Sequence, residues 1–372
     1  MGQAALILSI GAINGAVLAT LVGTLRANRA ANRFLAAFIA LVSLRLGIYI
    51  LGFTGAYDDH PWITFLPLDM SLAFGPLIWL YVSTITKGEP SSGWRWHLVP
   101  GLGQLLYFLT CFALPLPLKR QWYGGGHLGW VEPVAMVLII VSCSVYFYAA
   151  WRRYGAYQQW LDDHFGNREQ WRLSWLRSLL VAFAATLILT ILFALWNTFV
   201  TPLNYFGRLP LMLGFCGLTY SLGLLGWHHG AVAYPPETEH AAPSSDRDRT
   251  DYRELAAVWH RRTEEAEWWR DEALTLADLA QNLAVSERTL SRGLKEGAGE
   301  NFNSFVNAFR VAAVQRAIKW DGYDGDLLTL ALDCGFNSKA SFNRAFKAVM
   351  GTTPSAWRRT SQMSPILKGV SI

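Results

Sequence analysis

Charge is what this sequence is shortest of. Only 16% of its 372 residues are Asp, Glu, Lys or Arg, against 52% hydrophobic residues and a positive mean hydropathy. A soluble globular domain carries about 25% charged residues, so water is excluded as the sole solvent and part of the chain is expected to lie in a bilayer. Cysteine is scarce too. Cys111, Cys143, Cys216 and Cys334 are scattered through apolar stretches without paired or metal-ligand spacing, which excludes a disulfide-stapled secreted scaffold and a zinc site and leaves them as small core residues. No nucleophile elbow, Walker loop or zinc-protease motif occurs, so no enzyme and no cofactor are implied. The apolar stretch 209–227 holds no lysine, which excludes a retinal Schiff base there.

The charges that are present are unevenly placed. Residues 1–233 hold 14 Lys and Arg with 8 Asp and Glu, whereas residues 234–372 hold 18 and 19 in a much shorter stretch. Lipid is implied for the first part and water for the second. A membrane-crossing helix needs about 20 mostly apolar residues, and seven stretches meet this, near 3–25, 34–53, 64–85, 98–118, 131–151, 179–199 and 209–227. The first reads as a retained helix rather than a signal peptide.

Basic residues in the connections give the orientation. One set of loops carries Arg26, Arg29, Arg33, Lys87, Arg95, Arg152, Arg153, Arg168, Arg172 and Arg177, and the opposite set only Lys119, Arg120 and Arg208. The amino terminus is therefore expected outside, with everything after Trp227 in the cytoplasm. Trp62, Trp94, Trp96, Trp122, Trp130, Trp151 and Trp227 fall at expected span ends, as an interfacial aromatic belt would. The 152–177 loop, with Trp160, Trp171, Trp175 and Leu176, reads as a short helix on the inner surface. Arg45 and Asp69 lie inside the second and third expected spans at similar depths, about 12 and about 10 Å from the outer boundary by helical rise, so an intramembrane ion pair or a signal-detecting site is open to them, as is a span boundary that leaves Asp69 in water.

From Tyr234 to Asp251 the sequence YPPETEHAAPSSDRDRTD has no apolar period and reads as part of a linker over 234–254. Residues 234–275 carry 6 basic and 11 acidic residues, which argues that this section faces away from DNA. Beyond Leu274 the pattern changes. Leu276, Leu279, Ala280 and Leu283 form one helix face, Ala284-Val285 a turn, and Ser286 a cap for a second helix through Glu296. About fifty residues later Leu328, Leu330 and Ala331, a turn at Gly335, a cap at Ser338 and the apolar Phe342, Ala345 and Phe346 repeat the design. A helix near Phe305–Ile318 joins the two.

These residues resemble the AraC/XylS family of bacterial transcription regulators. The resemblance covers roughly 255–360 and rests on Leu279-Ala280, Ser286, Leu290-Ser291-Arg292, Gly335-Phe336, Ser341-Phe342, Arg344-Ala345-Phe346-Lys347, Gly351, Thr353-Pro354 and Arg358. The apolar half looks like the N-terminal region of membrane-bound members. The resemblance implies an all-α chain: a seven-helix transmembrane bundle over 1–233, the linker, a double helix-turn-helix DNA-binding domain over 255–360 and a tail over 361–372. In each unit the second helix reads a major groove. On the first reading helix Leu290 and Leu294 are inward, and by resemblance Arg288, Ser291 and Arg292 face bases with Lys295 exposed beside them. On the second, Lys339, Ala340, Asn343 and Arg344 face the groove, and Lys347 meets phosphate. Gly293 departs from a strong helix former at a cost of about 1 kcal/mol relative to alanine, so the first reading helix is expected to be the less rigid. The partners implied are promoter DNA, the bilayer and an unidentified signal molecule or membrane protein, with RNA polymerase and a second copy of the chain as further candidates. The rival reading is a membrane receptor or transporter-like protein whose helical tail binds protein.

Overall fold

The computed structural model describes residues 2–166, 173–204, 206–237, 252–319 and 323–363. They are helical, with no strand beyond an isolated bridge between Phe165 and Thr275. Most of the expected linker, 238–251, lies outside the described residues, as do Arg168, Trp171, Arg172 and the tail from 364. The chain divides into two compact units, 1–156 with 173–238, and 157–172 with 239–372.

The first unit contains α1 (Gly2–Thr24), α2 (Arg29–Phe53), α3 (Phe74–Lys87), α4 (Val99–Phe112), most of α5 (Glu132–His164), α6 (Ser174–Phe199) and α7 (Leu209–His229). Five described segments are long and apolar enough to cross a membrane: α1, α2, the run Leu116–His164 that ends in α5, α6 and α7. The third and fourth expected spans take another form. Helices α3 and α4 have 14 residues each, about 21 Å of helix against a hydrocarbon core of about 30 Å.

Two local causes shorten them. Pro67 lacks a donor and biases the residue before it away from helix, and the Asp69 carboxylate accepts from the Ser71 amide at 2.9 Å and from the Ser71 hydroxyl. That side-chain bond competes with helix formation, so Asp69 sits in an irregular segment and not on a helix. At the other end Pro115 and Pro117 stop the continuation of α4. The fifth helix departs in the opposite sense: α5 runs past Trp151 and through Arg152 and Arg153 to His164, where a separate surface helix was expected.

Apolar side chains of the first unit face outward. Leu6, Ile13, Leu106, Val145 and Phe199 are each at least 60% exposed. Close backbone approach supplies the packing instead: a Cβ on Gly15 of α1 would sit 2.0 Å from the Ser43 hydroxyl of α2, the small-residue contact that brings apolar helices together in lipid. Of the seven tryptophans expected at span ends, Trp62, Trp96, Trp122, Trp130, Trp151 and Trp227 are exposed, and Trp94 packs edge-on against Phe34 at 5.2 Å. Arg45 is buried, with its Nε 3.7 Å from the Asp69 carboxylate and its guanidinium 5.2 Å from the Phe215 ring centroid.

The second unit has an ordinary apolar core. Its helices are α8 (Tyr252–Glu265), α9 (Leu276–Leu283), α10 (Glu287–Gly293), α11 (Phe302–Lys319), α12 (Leu327–Asp333), α13 (Lys339–Met350) and α14 (Pro354–Met363). Residues 157–166, which comprise the last turns of α5 with Phe165 and Gly166, belong here as well. The core is built on α11, whose Phe305, Val306, Phe309, Val311, Val314 and Ile318 are buried. Arg310, on the same helix, is fully buried. Its Nε and Nη2 each donate at 2.8 Å, to the Trp269 and Asp271 carbonyls, and its guanidinium lies 5.8 Å from the Phe336 ring centroid. Burial pushes its pKa down to about 10.

Gly293 is a packing requirement. A Cβ there would lie 2.4 Å from the Trp259 indole and 3.1 Å from the Tyr252 ring. The glycine thus lets α8 close on α10, and the flexibility expected from its helix propensity is removed by this contact. The helix then widens into a π-type turn, Leu294–Ala298, ended by Gly299 at φ 71°.

Arg310→Lys leaves at least one of the two carbonyls, the buried one of Trp269 or the part-buried one of Asp271, without a donor, at about 1–3 kcal/mol. Hydrogen exchange of amides around residues 268–274 in the full chain is expected to speed up by about 5- to 150-fold. For Gly293→Ala the propensity gain of about 1 kcal/mol is outweighed by overpacking of about 1–3 kcal/mol, so α10 loses exchange protection. Combining it with Trp259→Phe, which removes the outer indole atoms, should cost less than the two single losses added together.

Candidate nucleic-acid interface

Two helix pairs in the second unit share one local construction. In the first, Thr275 caps α9 by accepting from the Asp278 amide at 3.2 Å, while the Asp278 carboxylate accepts from the Thr275 amide at 2.9 Å. This reciprocal capping box satisfies donors that the helix itself leaves open. The turn runs through Ala284 at φ 60°, a left-handed conformation unusual for a residue with a Cβ, held by Val285 N donating to the Ala280 carbonyl at 2.9 Å. Ser286 then caps α10 by accepting from the Thr289 amide at 3.1 Å.

In the second pair Asp326 caps α12, accepting from the Leu328 and Thr329 amides at 3.1 and 3.0 Å. Gly335 makes the turn at φ 84°, where a Cβ would lie 2.6 and 2.7 Å from the Arg270 and Trp269 carbonyl oxygens. Both the angle and the space demand glycine. Ser338 caps α13 by accepting from the Ser341 amide at 3.2 Å. Arg358, midway along α14, is committed to the protein, donating at 2.8 Å to the Gly325 carbonyl and to Asp324.

Apolar residues fix which faces turn outward. Leu290 and Leu294 of the first pair and Phe342 and Phe346 of the second are buried. Around them Arg288, Arg292 and Lys295 are exposed and Ser291 is half-buried, and on α13 Lys339, Ala340, Asn343, Arg344 and Lys347 are exposed. Burial lowers the pKa of Arg344, which still leaves it cationic at neutral pH.

The two exposed faces differ in how far their cations are already engaged. Arg292 pairs with Glu296 at 2.8 Å, which raises its pKa, and lies 5.3 Å from the Tyr252 ring centroid. Lys295 pairs with Asp163 at 2.5 Å. Lys339 and Lys347 of α13, in contrast, have no ion-pair partner among the described residues. Tyr252 and Trp259, from the acidic 234–275 section, pack against Gly293 of α10, and Tyr252 also lies beside Arg292. Sequence reasoning also missed Arg310 and Asp163; neither belongs to a spacing pattern that marks buried or paired ions.

Residues 279–360 match the protein family described as "Helix-turn-helix domain". An uncharacterized HTH-type transcriptional regulator of Staphylococcus aureus is 34% identical over 88 residues, which are 23% of this chain and 11% of that protein. Transcriptional regulator Rob of Salmonella typhimurium is 30% identical over 94 residues, 25% of this chain and 32% of Rob. The chain thus spans between about a tenth and about a third of the length of these curated relatives. No solved structure matches it. The C-terminal segment, residues 279–360, is therefore similar to helix-turn-helix domains.

Proposed function

We propose that this protein is a membrane-embedded one-component transcription regulator: apolar helices detect a signal in or across the bilayer, and the second unit binds promoter DNA through two helix-turn-helix units. The observation that carries this reading is the joining, in one chain, of a unit with outward-facing apolar side chains to a helix-turn-helix domain with exposed cations on two capped helices. The relatives named as transcriptional regulators support the DNA-binding half of it.

In this reading Arg288, Ser291 and Arg292 on α10, and Lys339, Asn343 and Arg344 on α13, meet base edges in successive major grooves about 34 Å apart. Lys347 meets phosphate, and Lys295 lies exposed beside the first set. The amino terminus lies outside and the second unit in the cytoplasm. That orientation does not depend on whether α3 and α4 cross as two spans or dip in and return, because either arrangement leaves an odd number of crossings after the amino terminus. A signal acts by favouring one arrangement of the membrane helices over another, provided DNA affinity differs between them.

Selection from random DNA by the full chain in lipid nanodiscs is expected to return one sequence class. Failure to select any duplex would refute the regulator reading. Arg292→Ala and Arg344→Ala should each cost about 5- to 150-fold in affinity for that duplex and relax selectivity at one position, as loss of a bidentate arginine–base contact does at about 1–3 kcal/mol. Lys347→Ala should weaken binding equally across sequences and lower the salt slope by about 1. Reporter fusions after Thr54 and after Trp227 are expected to read outside and inside respectively; an outside signal after Trp227 contradicts access to DNA.

A further inference from the structure

The last turns of α5, with Phe165 and Gly166, are seated on the first reading helix and its neighbours. Asp163 holds the Lys295 ammonium at 2.5 Å. Two residues on, Phe165 bridges to Thr275, the cap of α9, and the Gly166 amide donates to the Leu274 carbonyl at 3.3 Å. Asn303, at the start of α11, donates to the Phe165 and Gly166 carbonyls at 3.0 and 2.8 Å. A cleft of about 310 Å³ opens beside the ion pair, lined by Asp162, Asp163, Lys295 and Glu300. Asp163 thus holds the ammonium, and Asp162 and Glu300 line the same cleft, one turn beyond Arg292.

Backbone hydrogen bonds fix the position of this segment, so Asp163 is held against Lys295 by more than its own charge. A phosphate approaching Lys295 would have to displace Asp163 and would meet Asp162 and Glu300 as well, and like charges brought together disfavour contact. Lys339 and Lys347 on α13 have no such occupant among the described residues.

We propose that residues 157–166 form an inhibitory strap: while seated, the strap keeps Lys295 from DNA phosphate through Asp163, and full DNA affinity requires its release. The proposal rests on the DNA-binding function proposed for the second unit. The strap is the end of the helix that begins at Glu132.

The test uses the full chain in lipid nanodiscs and the duplex that this chain selects from random DNA. Asp163→Asn, which removes the charge and keeps the shape, is expected to raise affinity at least about tenfold and to steepen the salt slope by about 1, the signature of one newly available phosphate contact. Lys295→Ala should cost about tenfold in the Asp163→Asn chain and return the salt slope to its wild-type value, a larger loss than the same substitution causes in the wild-type chain. Asn303→Ala, which loosens the strap without touching the ion pair, should raise affinity in the same direction and guards against a fold defect peculiar to position 163.

Unchanged or weaker binding in both Asp163→Asn and Asn303→Ala overturns the strap while leaving the regulator reading intact. An equal effect of Lys295→Ala in both backgrounds also overturns it, since the pair would then be a structural contact alone. Absence of any selected duplex for the wild-type chain removes the regulator reading, and the strap with it.

Discussion

The second unit is organised around a cation with no water to reach. Arg310 leaves α11 inside the core and satisfies the carbonyls of Trp269 and Asp271, which belong to the segment entering the first helix pair. Its guanidinium also stands over Phe336, next to the turn of the second pair. The Trp269 carbonyl is, besides, one of the atoms that make Gly335 obligatory. One side chain therefore ties together the entry to the first pair, the connecting helix and the turn of the second. A buried ion of this kind is a poor source of net stability and a good source of geometric definition when its partners are fixed dipoles. If the two pairs are to meet DNA in register, this is the interaction that sets their spacing.

The apolar unit solves a different problem. Many of its apolar side chains are exposed, and its helices meet where backbones approach closely and where polar groups find each other. Gly15 against Ser43 illustrates the first, and Arg45 with Asp69 the second. Asp69 reaches Arg45 from an irregular segment, not from a helix face, so the charge pair and the break in the third apolar stretch have a common origin in the Pro67 to Ser71 sequence.

Much of this is legible in the sequence because it depends on local chemistry. Caps at Ser286 and Ser338 need only a hydroxyl before an apolar period, and the inward Leu290, Leu294, Phe342 and Phe346 follow from helical spacing. The features that are not legible depend on partners far away in the chain. Arg310 lies between Phe309 and Val311 and looks like any basic residue on a helix surface until the Trp269 and Asp271 carbonyls are placed around it. Gly293 reads as a weak point until Trp259 occupies the space beside it. The extent of α5 escapes a hydropathy reading because Arg152 and Arg153 signal the end of an apolar run and not the end of a helix; arginine is itself a good helix former. The third and fourth spans depart from expectation for the opposite reason, since composition there is apolar while prolines and an aspartate deny the backbone its helical bonds.

The reading helix of the first pair is seven residues of α-helix followed by one widened turn. An isolated helix in water needs roughly 12–15 residues before propagation repays nucleation, so this one exists because Leu290 and Leu294 are buried and Tyr252 and Trp259 press on Gly293. The surface that carries Arg288, Ser291 and Arg292 is thus a property of the assembled unit. Cut out as a peptide of residues 286–298, the same side chains would share no face, and moved to another scaffold they would keep their chemistry but lose their arrangement.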